Sequence, residues 1–288
     1  MSNIKNPLIY PLMILAMLSW AVAWTSAKIV NDYLSFYNLV FLRFTLGFIF
    51  LIPFILNKNI LKYLSFQSLL YIISTSILFF IYNVAFFKGT YYGLAGKGAI
   101  LVTTLNPIVT LVIISINNKS INKNEILGMI FGFIGGIIIL DISNQGIQII
   151  LNNKNFYFLI CAITWGIITV LTNYGQKKID SLVFIFSCYF ITAIISIFFI
   201  DIYSISLSGF DLKFYFNFFI VSIGAMAFGT SVYIYSTKIL GPIKSSAFIF
   251  SVPFIAIAIS HLFLNELLTV NVIIGGTLSL LGVYIVNK

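Results

Sequence analysis

Residues 8–30 read LIYPLMILAMLSWAVAWTSAKIV, and residues 156–174 read FYFLICAITWGIITVLTNY. Each run approaches or exceeds the roughly 20 apolar residues that a helix needs to cross a hydrocarbon core, and each carries a tryptophan near its middle. Shifting the first run by 145 residues lays Ser19-Trp20-Ala21 on Thr164-Trp165-Gly166, and the same shift lays Phe41 on Phe186. Further along, a shift of 147 lays Lys97 on Lys244, Asn118 on Asn265, Gly128 on Gly275 and Gly135 on Gly282. The mid-span prolines Pro107 and Pro253 fall one residue out of register at that shift. Single identities of this kind arise by chance, whereas a shared order at a near-constant offset marks an internal repeat.

Outward from these two runs, the rest of the chain divides in the same way. Ten apolar runs cover about 8–30, 34–56, 66–87, 98–116, 125–140, 156–174, 181–201, 214–236, 245–264 and 267–286, separated by short polar breaks such as Asn57-Lys58-Asn59 and Gln176-Lys177-Lys178. The composition is 60% hydrophobic and 8% charged, against about 45–50% and 25% in soluble domains. A soluble globular chain, a disordered chain and a nucleic-acid-binding domain are all excluded. The expectation is an all-α integral membrane protein of ten spans. Five spans per repeat is an odd number, so the second copy enters the bilayer from the opposite side, and the halves (1–145 and 146–288) form an inverted pair. With the N-terminus in the cytoplasm, ten lysines lie on the inner side and five on the outer. That bias predicts a multi-pass protein of the cytoplasmic (inner) membrane with both termini inside. The net charge of +9 is then an orientation signal.

Candidate functional residues follow from depth, at a rise of about 1.5 Å per residue. Trp20 and Trp165 sit at or beside the midpoints of their spans, although tryptophan usually belongs at the interfaces. Two at the midplane, related by the repeat, point to a shared aromatic-walled cavity; alternatively they pack a bundle core. Trp24, one turn from Trp20, joins them, as do Tyr82, Phe86 and Tyr233. Asn83 is singled out because an amide in hydrocarbon needs a partner. Pro107 and Pro253 each remove an N–H and disturb the carbonyl four residues earlier, so spans 4 and 9 are expected to bend as gating helices. Thr104, Asn106 and Ser251 add polar groups there, either facing the cavity or repairing the broken hydrogen bonding.

Arg43 is the single arginine among 16 basic residues and lies near the middle of span 2. A charge at that depth costs about 2.5–3.5 kcal/mol on insertion scales, so it faces the bundle or water. Two roles are open: pairing a substrate carboxylate, or pinning freed backbone carbonyls of a neighbouring span. His261 and Glu266 are the candidates for proton coupling, although a lone histidine is more often a packing residue. Gly128, Gly132 and Gly136 stand four apart and predict a close-packed helix seam. Cys161 and Cys188 lie inside apolar runs and read as buried free thiols.

No catalytic constellation is present. One histidine supplies no zinc site of the usual kind, no phosphate-cradling GxxxxGK[ST] occurs, and Asp32, Asp141, Asp201, Asp211 and Glu266 all lie at span ends. The expectation is no enzyme, no cofactor and no metal. The expected partners are a small-molecule substrate and the lipid bilayer, with the chain a monomer or weak homodimer.

The pattern Trp20 … Leu42-Arg43-Phe44, with Leu264-Asn265-Glu266-Leu267 followed by Gly275 and Gly282, resembles the EamA domain of the drug/metabolite transporter superfamily. The resemblance covers two units, about 8–140 and 156–286. It departs from the pattern at Lys119, which stands in the first half where Glu266 stands in the second. It implies a ten-helix bundle whose central cavity is lined by spans 1, 3, 4, 6, 8 and 9, with spans 5 and 10 peripheral, and, by placing a basic residue at position 43 in proteins of varied substrates, it favours the structural role for Arg43. Together with the inverted repeat it implies a secondary transporter, an exporter or exchanger working by alternating access. Aromatic walls and few charges suit amino acids or related zwitterionic and amphipathic solutes. A lipid or lipid-linked carrier translocase is the alternative, and a membrane-embedded enzyme is the weaker one.

Overall fold

A helix in hydrocarbon satisfies its backbone internally, but its first N–H groups need partners from outside the ladder. The polar breaks supply them. In the computed structural model, which describes residues 7–63, 65–116, 120–141, 155–201, 209–264 and 269–288 (61 and 260–264 as backbone only), ten long helices and no strand occur among the described residues. The first half holds α1 (Ile9–Val30), α2 (Phe36–Ile55), α3 (Phe66–Tyr92), α4 (Ala95–Ile116) and α5 (Lys123–Ile139). The second holds α6 (Phe156–Gly175), α7 (Ser181–Ile197), α8 (Leu212–Ile239), α9 (Pro242–Ala247, Phe248–Ser251 and Val252–Leu264 in succession) and α10 (Val270–Asn287). Ser35 caps α2 and Asp180 caps α7, at the offset of 145; Asn122 caps α5 and Thr269 caps α10, at the offset of 147. At Asn122, Glu125 reaches back to complete a capping box. Between α8 and α9 the chain reverses sharply at Gly241, whose φ of 87° suits only a residue without a Cβ, and Pro242 follows at the first helical position.

Eight of the ten helices are long and apolar enough to cross a membrane, and α5 and α7, of 17 residues each, are shorter. Large apolar side chains such as Ile14, Leu15, Leu18, Ile73, Ile77 and Ile81 lie exposed on the outer faces of α1 and α3, where a bilayer would cover them. The chain is a multi-pass membrane protein.

The repeat is visible in the hydrogen bonds. At the end of α1, the Asn31 amide donates to Phe87 O at 3.0 Å and to Thr90 Oγ1 at 2.9 Å on α3. Gln176, 145 residues on, donates to Ile234 O at 2.7 Å and to Thr237 Oγ1 at 3.1 Å on α8; these acceptors lie 147 residues beyond Phe87 and Thr90. One turn earlier, Lys28 Nζ donates to Thr90 O at 3.1 Å, and its counterpart Asn173 donates to Thr237 O at 2.6 Å. The same bracket therefore ties α1 to α3 at one end of the bundle and α6 to α8 at the other.

Some contacts map onto themselves. Trp20 meets its own counterpart Trp165, with ring centroids 5.1 Å apart, and Phe44 meets its counterpart Tyr189 at 5.7 Å. On the seam of α5 and α10, Gly128 faces the Gly282 carbonyl, while Gly135, the counterpart of Gly282, faces the carbonyl of Gly275, the counterpart of Gly128. A pseudo-twofold axis thus runs through this seam and between the two tryptophans. The predicted glycine seam is real but wider than expected. Gly128, Gly132 and Gly135 meet α10, whereas Gly132 also takes the Phe250 ring and Gly136 takes the Thr104 side chain. The most extensive helix pairs (α5 with α10, α3 and α4 with α6, α2 with α7, α1 with α8) each join one half to the other. The halves interlock.

At the two prolines the helices differ from one another. Helix α4 runs unbroken through Pro107, and α9 changes to a 3-10 turn over Phe248–Ser251 just before Pro253. The largest departure from α-helical geometry lies in α8, where Ile220–Thr230 forms a π-helix. Wider i→i+5 turns leave carbonyls open to outside donors. Here Trp20 Nε1 donates to Ala225 O and the Tyr189 hydroxyl to Met226 O, each at 2.9 Å.

Candidate functional site

Around the axis lies a cavity whose side chains come from eight helices: Trp20, Ala23 and Trp24 of α1, Arg43 and Phe44 of α2, Phe79, Tyr82, Asn83 and Phe86 of α3, Val102, Thr103 and Asn106 of α4, Trp165 of α6, Tyr189 of α7, Ala225, Met226 and Thr230 of α8 and Ile249 of α9. Helices α5 and α10 contribute nothing to the lining, as expected; α2 and α7 do, which the expected set of six omitted. The self-paired contact of Phe44 with Tyr189 explains why, since it draws both helices onto the axis. The space between these atoms, including its open mouth, is about 580 Å³. Rings meet across it, with Tyr82 and Trp165 centroids 4.6 Å apart and Trp24 and Phe86 4.9 Å apart. The cavity is therefore a set of crevices between aromatic faces.

Arg43 supplies its charge and is 6% exposed. Its Nη1 donates to Asn83 Oδ1 at 2.7 Å, and Asn83 Nδ2 donates in turn to Phe79 O at 2.8 Å, which holds the amide with its oxygen toward the guanidinium. The guanidinium also lies over the Phe86 and Phe87 rings, at 5.4 and 5.7 Å. No backbone carbonyl accepts from it among the described residues, so the favoured expectation, that Arg43 pins freed carbonyls of a neighbouring span, is replaced by a side-chain pair. Asn83 thereby has its partner.

Of the sequence-derived candidates, Trp20, Trp24, Arg43, Tyr82, Asn83, Phe86, Asn106 and Trp165 come together in this one cavity. Tyr233 stands behind the wall. Its ring packs on Trp20 at 5.1 Å and Trp165 at 5.8 Å while its hydroxyl shares a 2.8 Å hydrogen bond with Thr169. Thr104 faces away, against Gly136 of α5, because α4 turns that side to its own repeat. Ser251 donates to Phe248 O at 2.7 Å, repairing the 3-10 turn. Pro107 and Pro253 are not lining residues. Glu266 lies outside the described residues, as does the side chain of His261. Phe44, Phe79, Tyr189 and Met226 were not anticipated; yet Tyr189 is Phe44 shifted by 145 and Met226 is Phe79 shifted by 147. The repeat applied to the aromatics of α2 and α3 would have found them as pairs.

The model of the EamA-like transporter family matches residues 7–141 and again residues 153–288. The chain belongs to this family. EamA-like proteins are membrane transporters of the drug/metabolite transporter superfamily, and the two matches correspond to the two interlocked halves. No curated protein matches the sequence. A solved crystal structure is similar in fold, with a TM-score of 0.74 at 13% identity, covering 98% of this chain and 96% of that one.

Proposed function

We propose that this EamA-like protein is a secondary transporter, an exporter or exchanger, that moves small metabolites by alternating access around the midplane cavity. Amino acids and related zwitterionic or amphipathic solutes are the class it serves. One observation carries this reading: four helices of each half line a single cavity, and the pseudo-twofold axis runs through it. Two halves related in this way can exchange conformations, so a state open to one side has a counterpart open to the other. Aromatic faces with one buried charge suit a solute that has both a polar head and an apolar body. The same reading puts the chain in the cytoplasmic membrane with both termini inside, in keeping with the lysine bias of the loops.

Uptake into proteoliposomes tests the proposal, with a screen of amino acids and related metabolites in the presence and absence of a proton gradient. Exchange of a zwitterion that needs no gradient is expected. Silence for every soluble solute, together with flipping of dye-labelled lipid, would replace the metabolite transporter by a lipid translocase.

A further inference from the structure

Three buried groups lining the cavity retain unused hydrogen-bonding capacity: Arg43, Asn106 and the indole N–H of Trp165, of which the first two are the more polar. A guanidinium has five N–H donors; in Arg43 one of them is taken by Asn83, and Nε has no partner. Asn106, 2% exposed, has no partner at Oδ1. Both line the same space, Arg43 from near the middle of α2 and Asn106 from the middle of α4. No carboxylate lines that space among the described residues. Asn83 answers the guanidinium with a dipole and Phe86 and Phe87 with ring faces, and none of these is a counter-charge. A buried cation left in this condition is unfavourable, and an anion with good geometry relieves it.

The arrangement of these groups selects the anion. A guanidinium presents adjacent N–H groups in one plane, matching the two oxygens of a carboxylate. A phosphate dianion would call for a second cation, and none lines the cavity among the described residues. An amide offers both an acceptor and donors, so Asn106 suits a polar substituent close to the carboxylate. Trp20, Trp24 and Phe86 then leave only apolar faces for the remainder of the molecule.

We propose that the cargo is a small α-substituted carboxylate, its carboxylate on the free N–H groups of Arg43, its α-amino or α-hydroxyl group on Asn106, and its apolar body against the aromatic faces of Trp20, Trp24 and Phe86. This rests on the transporter reading and names the chemistry by which that cavity selects. Arg43 and Asn106 are its binding residues, and Asn83 is a positioning residue that orients the guanidinium.

All three tryptophans of the chain line the cavity, so their emission in the purified full-length protein reports occupancy directly. Four probes with the same branched apolar body separate the contributions: leucine, its 2-hydroxy analogue, 4-methylpentanoate and 3-methylbutylamine. Leucine and the hydroxy acid are expected to saturate. The unsubstituted acid should bind more weakly by about tenfold, the value of one hydrogen bond to a buried polar group, and the amine should leave the emission unchanged. Arg43→Gln should erase the preference for acids over the amine, and Arg43→Lys should keep it in weakened form. An amine that saturates as leucine does, no response to any acid, or an acid preference that survives Arg43→Gln each overturns the proposal. Should Arg43→Gln fail to fold, the four probes on the unaltered protein decide alone. Acid binding without uptake into proteoliposomes would leave the binding mode standing and remove the transport reading; uptake of uncharged or cationic solutes without acid binding would do the reverse.

Discussion

At Arg43 and Asn83, one charged hydrogen bond holds two side chains that hydrocarbon would reject singly. Asn83→Leu keeps the volume but removes the acceptor at 2.7 Å, and a lost hydrogen bond to a buried charge costs about 1.5–3 kcal/mol. A lowered thermal midpoint in detergent is expected. The double variant Arg43→Leu with Asn83→Leu should recover much of that loss, because no charge is then left unpaired; a double variant no more stable than Asn83→Leu would refute the account. Both residues stood out in the sequence for the same reason, the cost of a polar group at that depth. Their pairing did not, since nothing local relates position 43 to position 83. Thr104 and Ser251 illustrate the opposite error. Placed beside a proline in mid-span, they read as cavity residues, but the single-residue step of about 100° from Thr103 points the first at α5, and the second is drawn back to its own backbone.

Among the elements, α5 and α10 are the scaffold. A Cβ added at Gly135 would press on the Gly275 backbone and on Ser279, neither of which can yield without separating the helices. Gly135→Ala is expected to destabilise by about 1–3 kcal/mol through overpacking. Uptake per folded molecule should stay unchanged, since neither helix touches the cavity. Thermal unfolding and transport normalised to folded protein separate the two effects, and a specific activity falling with the thermal midpoint would contradict this division of labour. The glycine seam was legible because small residues four apart leave a signature in the sequence. The π-helix over Ile220–Thr230 was not. Its residues IVSIGAMAFGT suit an ordinary helix, and the donors that accompany the wider turn, Trp20 and Tyr189, come from other helices.

For the whole molecule, the halves depend on each other. The first half expressed alone would expose the faces of α1 to α5 that now pack on the second, so it should be degraded or aggregate, and coexpression of the two halves should restore a folded complex. A first half that purifies as a monodisperse species alone would show that the interlocking is dispensable. One ion pair occurs among the described residues, Lys58 Nζ to Asp180 Oδ2 at 2.9 Å, and it also joins the halves. Partial burial pushes the Asp180 carboxyl up, but Lys58 and the N–H groups of Val183 and Leu182 outweigh it and hold the group below its ordinary value. A depressed carboxylate stabilises the fold above its unfolded value, about 3.9, and that contribution is lost as pH falls through the folded value. Asp180→Asn should therefore lower the thermal midpoint slightly at neutral pH, and the gap should close below about pH 4. The gap is small because the pair is partly exposed. A gap that persists in acid would assign the effect to something other than charge.

The correspondence between the brackets is chemical as well as geometric, and it is imperfect: Lys28 stands where the other half has Asn173, and Trp24 with Phe86 where the other has Thr169 with Tyr233. Under the alternating access proposed above, two halves identical in sequence would make inversion interchange two states of equal free energy, each equally populated. Every mismatch between counterparts removes that degeneracy. On that reading the resting bias is set where the copies have diverged, and making counterparts in the brackets alike, beginning with Lys28→Asn, would shift the two populations toward parity.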